Sequence, residues 1–126
     1  MEFKLSTELK MLQKAVREFG KKKIAPFADE WDDNDYFPYK EAIRPMGELG
    51  FFGTVIPEDY GGEEMGWLAA MLVTEEIARY SSSLRVQVNM QVLGCAFTIF
   101  KYGTETAKKA YIEKLCSCEY LGGFGI

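Results

Sequence analysis

The chain has 126 residues, of which 48% are hydrophobic, so one domain with one apolar core is expected. A formal net charge of -4 argues against nucleic acid as a partner, and the absence of histidine excludes Ser-His-Asp triads, Cys-His pairs and histidine-bearing zinc sites. No run reaches the roughly 18 apolar residues of a membrane span, and no metal site is predicted. Three cysteines without a secretory leader predict buried free thiols in a cytoplasmic protein: Cys95, Cys116 and Cys118.

The N-terminal half predicts two helices separated by a loop. Ser6 or Thr7 can cap a first helix, because apolar residues then recur at helical spacing. Residues 31–38 are rich in Asp, Asn and aromatic side chains and are predicted to form a loop. Residues 39–49 predict a short second helix that ends at Gly50.

Two further helices are predicted beyond a turn-rich stretch. Residues 51–62 predict an extended segment that closes in a cluster of Pro, Asp and Gly. Residues 66–80 predict a helix with apolar residues on most faces, which indicates burial. Thr104 is a plausible cap for a last helix that runs to Leu115.

Residues 83–102 carry conflicting signals. Positions 85–92 alternate polar and apolar residues, which alone is typical of a strand, but the apolar block that follows favours a helix over the whole segment. On such a helix Arg85 and Asn89 share one face, and Gln87 and Gln91 lie nearly opposite. Buried polar groups need partners, so a bound polar ligand or other parts of the protein are expected to supply them.

The last residues differ in character from all that precede them. Residues 119–126 form an apolar, glycine-rich run that predicts a single β-strand after an otherwise all-α chain. A buried ladder group without a partner costs about 1–3 kcal/mol, so the remaining strands are expected outside this sequence. Glycine in a strand also permits close approach of a ligand. The expected organisation is a helical domain over 1–118 and the start of a β-domain over 119–126.

Three phrases in series resemble the acyl-CoA dehydrogenase family: Ile-Pro-Glu-Asp-Tyr-Gly-Gly at 56–62, Tyr-Gly-Thr-Glu at 102–105, and Gly-Gly-Phe-Gly-Ile at 122–126. The resemblance implies the N-terminal helical domain of that fold, leading into a middle β-domain and a C-terminal helical bundle. It also implies FAD as cofactor, an acyl-CoA substrate, an electron-transfer flavoprotein as partner and a homotetramer.

The resemblance further implies a reaction and a set of site residues. In that family a carboxylate removes the α-proton of the thioester while the β-hydrogen passes as hydride to the flavin. The family's catalytic glutamate lies in the C-terminal domain, so no catalytic residue is expected in this chain, which alone should be inactive. Three residues at the end of the chain are implied to lie along the flavin ring: Phe124, Gly125 and Ile126.

Within the family, the glutaryl-CoA dehydrogenases are most similar to this chain. They carry an arginine at the position of Arg85, which grips the distal carboxylate of the acyl group, and Val86 and Asn89 complete the predicted substrate site. A cation in the first turn of a helix opposes the helix dipole, so an anion nearby would help explain it. A surface arginine at a helix end is the alternative interpretation.

Two positions depart from the decarboxylating members, which resemble the rest of the chain but have Glu at the position of Ala78 and Ser at that of Val86. Oxidation of glutaryl-CoA to glutaconyl-CoA without loss of CO2 is therefore expected. The alternatives are a decarboxylating enzyme, a dehydrogenase for another dicarboxylyl or cyclic acyl-CoA, an acyl-CoA oxidase, and a helical interaction module without flavin. Glu75 and Glu76 are expected to pair on the helix surface or between domains rather than act as a base.

Overall fold

The computed structural model describes residues 4–125, and helices occupy most of that range. Wider π-helical turns extend the first helix, precede the third and join the fifth to the sixth, and one 3-10 turn lies at Glu58–Tyr60. The π-helical turns are Gly20–Ile24, Tyr39–Ile43 and Met90–Ala96. The α-helices are α1 (Thr7–Phe19), α2 (Ala28–Asp33), α3 (Arg44–Glu48), α4 (Trp67–Ala78), α5 (Ser82–Asn89), α6 (Phe97–Tyr102) and α7 (Glu105–Cys116).

The helix starts agree with the capping residues expected from the sequence. The Oγ atom of Ser6 accepts a hydrogen bond from the Leu9 N–H at 3.2 Å, and the hydroxyl of Thr104 accepts from the Ala107 N–H at the same distance. Gly50 has φ of +79°, the left-handed conformation expected just beyond a helix end. The prediction of an all-α domain is confirmed.

Two local predictions are wrong. The region predicted as a loop from residue 31 begins as helix, because α2 runs to Asp33. The segment 51–62 is not extended but folds into consecutive turns. Its apolar residues, Phe51 and Phe52 among them, are buried in the domain core, where a strand would have no neighbouring strand to pair with.

Helices α1, α4 and α5 enclose the larger of two apolar cores. Phe19 from α1 meets Phe51 edge to face, with ring centroids 5.9 Å apart. A second core lies between α7 and the turn Met90–Ala96 and contains Ile112, Leu115 and Cys95. The long helical stretch Ser82–Tyr102 therefore contributes to both cores, and its side chains hold them in one body.

The predicted C-terminal strand is not formed in the described part of the chain. Residues 121–125 have no regular secondary structure, and a strand requires ladder bonds to a neighbour that residues 4–125 do not provide. Ile126, the last residue of that prediction, lies outside the described residues.

None of the helices in the described range is both long and apolar enough to cross a membrane.

Candidate functional site

The predicted substrate residues lie on the first two turns of α5. The helix begins at Ser82, and the Ser81 hydroxyl caps it by accepting from the Leu84 N–H at 3.2 Å. Arg85 is the fourth residue of the helix and is partly exposed, and the neighbouring Val86 side chain is 47% exposed. The helix therefore presents a cation beside an apolar surface.

Arg85 is unpaired among the residues that the structure describes. The ion pairs within residues 4–125 all involve other basic side chains. A guanidinium group carries five donors and is always charged near neutral pH. Its position at the positive end of a helix dipole adds to the case for an external anion.

Asn89 is held by a neighbouring helix. The Thr74 Oγ1 atom on α4 lies 2.9 Å from Asn89 Oδ1 and 2.9 Å from the carbonyl oxygen of Ala70. A hydroxyl has one proton, so it donates to one of these acceptors at a time. The side chain of Asn89 thus ties α5 to α4, and its role in binding substrate stays a prediction.

The predicted cofactor residues lie beyond α7, and Phe124 packs against the same helical stretch farther along, at Gly94. Phe124 is 56% exposed, and a Cβ atom added at Gly94 would lie 2.7 Å from its ring. Gly94 therefore makes room for the Phe124 ring. Gly125 has open space around its Cα atom. From Arg85 to Gly94 the helix rises roughly 13 Å, so the two predicted subsites are separated by about that length along the helical stretch.

The sequence predicts no functional role for Gln91. Its side chain nevertheless has the most complete set of hydrogen-bond partners among the polar side chains of this region. The residue is fully buried, and its amide nitrogen donates to the carbonyl oxygens of Leu115 and Tyr120 at 2.8 and 2.7 Å. Its amide oxygen accepts the Gly122 N–H at 2.9 Å. The partners of Gln91, which were expected from a ligand or from other parts of the protein, are therefore supplied within the described chain.

Glu76 is a buried carboxylate whose surroundings favour its charged form. Its oxygens accept hydrogen bonds from Arg17 at 2.7 and 3.0 Å and from Gln13 at 3.1 Å, and Arg79 lies 3.2 Å away. The hydrogen bonds from Arg17 hold the pKa of Glu76 below its usual value, against the effect of burial. Such a carboxylate is a poor base.

The prediction that Glu75 and Glu76 pair on the helix surface or between domains holds for one of them only. Glu75 is exposed and lies 3.6 Å from Arg79, as expected for pairing on the helix surface. The prediction was wrong for Glu76, which is buried and paired inside the domain. Its main partner is 59 residues away in sequence, a separation at which helix periodicity carries no information.

The three cysteines are free and buried, as predicted from the sequence. Burial raises the pKa of Cys95, and it raises the pKa values of Cys116 and Cys118 to about 12. Thiols with such pKa values stay protonated near neutral pH and are inert as nucleophiles. Within residues 4–125, no three Cys, Asp or Glu side chains converge in a way that could hold a metal ion.

This geometry defines a helical domain with an unpaired cation, Arg85, near the start of α5 and a glycine-rich segment that packs farther along the same helical stretch, at Gly94. Residues 6–119 match the family model described as the acyl-CoA dehydrogenase N-terminal domain. The whole chain is 71% identical to glutaryl-CoA dehydrogenase of Desulfococcus multivorans and covers 33% of that protein. The chain therefore belongs to the acyl-CoA dehydrogenase family.

Solved structures agree with the family assignment. A structure described as the glutaryl-coenzyme A dehydrogenase glutaryl-CoA complex superposes with a TM-score of 0.97 at 70% identity, over 100% of this chain and 32% of the other. A structure described as an electron transferring flavoprotein of Acidaminococcus fermentans gives 0.91 at 30% identity, over 96% of this chain and 32% of the other. The chain thus spans about a third of the length of the proteins it matches.

Proposed function

We propose that this chain is the N-terminal portion of an FAD-dependent acyl-CoA dehydrogenase that oxidises glutaryl-CoA to glutaconyl-CoA without decarboxylation. The observation that carries the substrate proposal is the unpaired guanidinium of Arg85 on an exposed helix face. The similarity to glutaryl-CoA dehydrogenase of Desulfococcus multivorans supports the same choice. In this proposal residues 1–118 are the helical domain and residues 119–126 begin a β-domain.

Arg85 would select the acyl group by its distal carboxylate. A charge-assisted hydrogen bond contributes roughly 1.5–3 kcal/mol, and a guanidinium can bind a carboxylate through two parallel bonds. Val86 offers the acyl chain an apolar wall beside the cation, and Asn89 lies one turn farther along the helix.

The C-terminal segment, defined here as residues 119–125, has the properties that a flat ring requires. A Cβ atom added at Gly123 or at Gly125 would meet no heavy atom within 4 Å, so a planar group can approach the backbone. The exposed ring of Phe124 could pack beside such a group. Bound FAD would supply the acceptor for the β-hydride. This chain's part is to hold the acyl group and to line the ring with Phe124, Gly125 and Ile126.

The proton base is expected from outside this chain. Glu76 is committed to Arg17 and has a lowered pKa, and Glu75 is exposed and beside Arg79. A carboxylate that removes a proton from carbon needs a raised pKa, which Glu76 does not have, and Glu75 is already paired on the helix surface. A glutamate of the C-terminal domain, as in the rest of the family, is the proposed base.

Retention of the carboxylate is supported by the side chains at positions 78 and 86. Val86 is apolar and exposed, and Ala78 on α4 is exposed without a polar group. Neither can donate a hydrogen bond that would steer the carboxylate or protonate the product anion. The proposed product is accordingly the five-carbon enoyl-CoA.

The remaining features of the proposal come from the relatives. An electron-transfer flavoprotein is the proposed electron acceptor, and the similarity to a chain in a structure of such a protein supports that choice. A homotetramer is proposed for the full-length protein. The free thiols favour a reducing compartment, and the cytoplasm is proposed as the location.

The substrate proposal is tested with Arg85→Met in the full-length protein. Because the lost interaction is worth roughly 1.5–3 kcal/mol, kcat/KM for glutaryl-CoA should fall by about 10-fold to 150-fold, with the main effect in KM. Butyryl-CoA has no distal carboxylate, so its kcat/KM should change little. Steady-state kinetics with both substrates measure the difference.

Arg44→Met is the matched control, because Arg44 is an exposed arginine that pairs with Glu48 one turn away. It should alter neither substrate's kinetics. Equal losses on both substrates in Arg85→Met would remove Arg85 from the specificity role. A wild-type protein that binds no flavin would refute the proposed activity itself.

The fate of the carboxylate is tested by product analysis. Wild-type protein supplied with glutaryl-CoA and an electron acceptor should accumulate glutaconyl-CoA and release no CO2. Mass spectrometry of the CoA esters distinguishes this product from the four-carbon crotonyl-CoA. Crotonyl-CoA as the main product would show that decarboxylation occurs without polar groups at positions 78 and 86.

A further inference from the structure

Gln91 is placed at the junction of three parts of the domain. It lies in the turn Met90–Ala96, and its amide nitrogen donates to the last turn of α7 and to the Tyr120 carbonyl. Its amide oxygen accepts from Gly122 and, at a longer 3.4 Å, from Gln87. A primary amide has two donor hydrogens and two acceptor lone pairs, so Gln91 uses its full capacity in a fully buried site.

The end of the described chain depends on this amide. Among residues 121–125, within the part of the chain that the structure describes, the bond from the Gly122 N–H to Gln91 is the only hydrogen bond. The other restraints on these residues are close packing contacts. A Cβ atom at Gly122 would collide with the Sγ atom of Cys95, and Gly94 makes room for the Phe124 ring. The Gln91 side chain therefore orients the segment through its hydrogen bond, and Gly94 and Gly122 permit the segment to approach the helical stretch closely.

We propose that Gln91 is the positioning residue of the flavin-facing segment. This inference rests on the proposed function, because it takes Phe124 and Gly125 as residues that line the flavin ring. Gln91 lies six residues beyond Arg85 on one continuous helical stretch. By fixing the C-terminal segment against that stretch, it fixes the separation between the anchor for the acyl carboxylate and the edge of the ring.

No other side chain of similar size reproduces these bonds. Glutamate would bring a carboxylate against the carbonyl oxygens of Leu115 and Tyr120, which need donors. Methionine has a similar shape but leaves both carbonyls and the Gly122 N–H without partners, and unpaired buried polar groups are unfavourable. The π-helical geometry of Met90–Ala96 is consistent with a special role, since such turns are frequent at functional sites.

The test uses the full-length protein with FAD bound and the variant Gln91→Met. Misplacement of the segment should shift the visible absorption or circular dichroism of the bound flavin. It should also lower kcat by about 10-fold to 100-fold, because small errors in the placement of reacting groups are costly. Glutaryl-CoA and butyryl-CoA should be affected alike, since both meet the same ring. This pattern differs from the KM effect on one substrate that is expected for Arg85→Met.

Gln13→Met is the matched control. Gln13 is also an amide that donates to a buried partner, Glu76, but it lies on α1, away from the C-terminal segment. It should lower the melting temperature of the protein and leave the flavin spectrum and kcat unchanged.

Gly122→Ala displaces the same segment from its other side, because the added Cβ atom meets Cys95. It provides a second measurement should Gln91→Met fail to fold, and it should change the flavin spectrum and kcat in the same direction. An unchanged spectrum and kcat in either folded variant overturns the positioning role while leaving the proposed function intact. Wild-type protein without flavin or dehydrogenase activity overturns the proposed function, and the positioning role with it.

Discussion

Two arginines in this domain stand in opposite situations. Arg17 on α1 donates two hydrogen bonds to the buried carboxylate of Glu76, and that pairing raises the pKa of Arg17 above its ordinary value. Arg85 on α5 has no ion-pair partner among residues 4–125. The difference separates a charge that the fold uses from a charge that we propose is available to a ligand. Substitution of the first should affect stability, and substitution of the second should affect binding.

The largest stability effect is expected from removing the cations around Glu76. Arg17→Met combined with Arg79→Met leaves a buried carboxylate with Gln13 as its remaining partner. Breaking a buried ion pair by removing one side costs about 3–5 kcal/mol in free energy of unfolding. Urea unfolding of the chain, followed by circular dichroism, measures the loss, with Arg44→Met as the control on the surface. A change below about 1 kcal/mol would contradict the importance given to this cluster.

The same variant should change how stability depends on pH. In the wild type the lowered pKa of Glu76 contributes stability that is present above its unfolded pKa of about 4.3 and is lost as pH falls through the folded value. Without the arginines, burial should raise that pKa, and protonation then relieves the buried charge. The stability gap between the two proteins should therefore narrow as pH falls from 7 to about 4. Unfolding midpoints that keep a constant gap over this range would disagree with the assignment.

The smallest stability effect is expected at Arg85. Arg85→Met removes a cation that no described side chain satisfies, so the free energy of unfolding should change by less than about 0.5 kcal/mol. A small gain is also consistent, because the cation opposes the dipole of α5. The same urea titration measures it. A loss of about 2 kcal/mol or more, well above the roughly 0.5 kcal/mol of ordinary surface substitutions, would mean that the domain itself uses Arg85.

Local features of the fold could be predicted because their causes lie close together in sequence. Ser6 and Thr104 each stand at the start of an apolar periodic run, and Gly50 stands just past one. The alternation at 85–92 is typical of a strand, but the apolar block that follows it predicts a helix, and the structure confirms the helix. The wider turn Met90–Ala96 could not be predicted, because the contacts that it makes with α7 join residues far apart in sequence.

The surroundings of Glu76 and Gln91 depend on tertiary contacts and therefore could not be predicted from the sequence. Glu76 meets Arg17 across the contact between α4 and α1, and Gln91 meets backbone atoms more than twenty residues away, with sequence separations of 24 and 29 for its two donated bonds. The polar side chains of 83–102 could be recognised as needing partners, but their partners could not be named. The position of Arg85 on its helix face could be predicted, because that position depends only on helical spacing.

The three buried cysteines can be used to measure local opening of the domain. A buried thiol reacts with alkylating reagents only when local opening exposes it, so labelling rates measure the free energy of opening at each cysteine. Cys95 lies beneath Gly122 and would register release of the C-terminal segment. Cys116 and Cys118 lie at the end of α7 and would register fraying of that helix. Cysteine labelling can thus measure the rate at which the segment opens without an engineered cysteine.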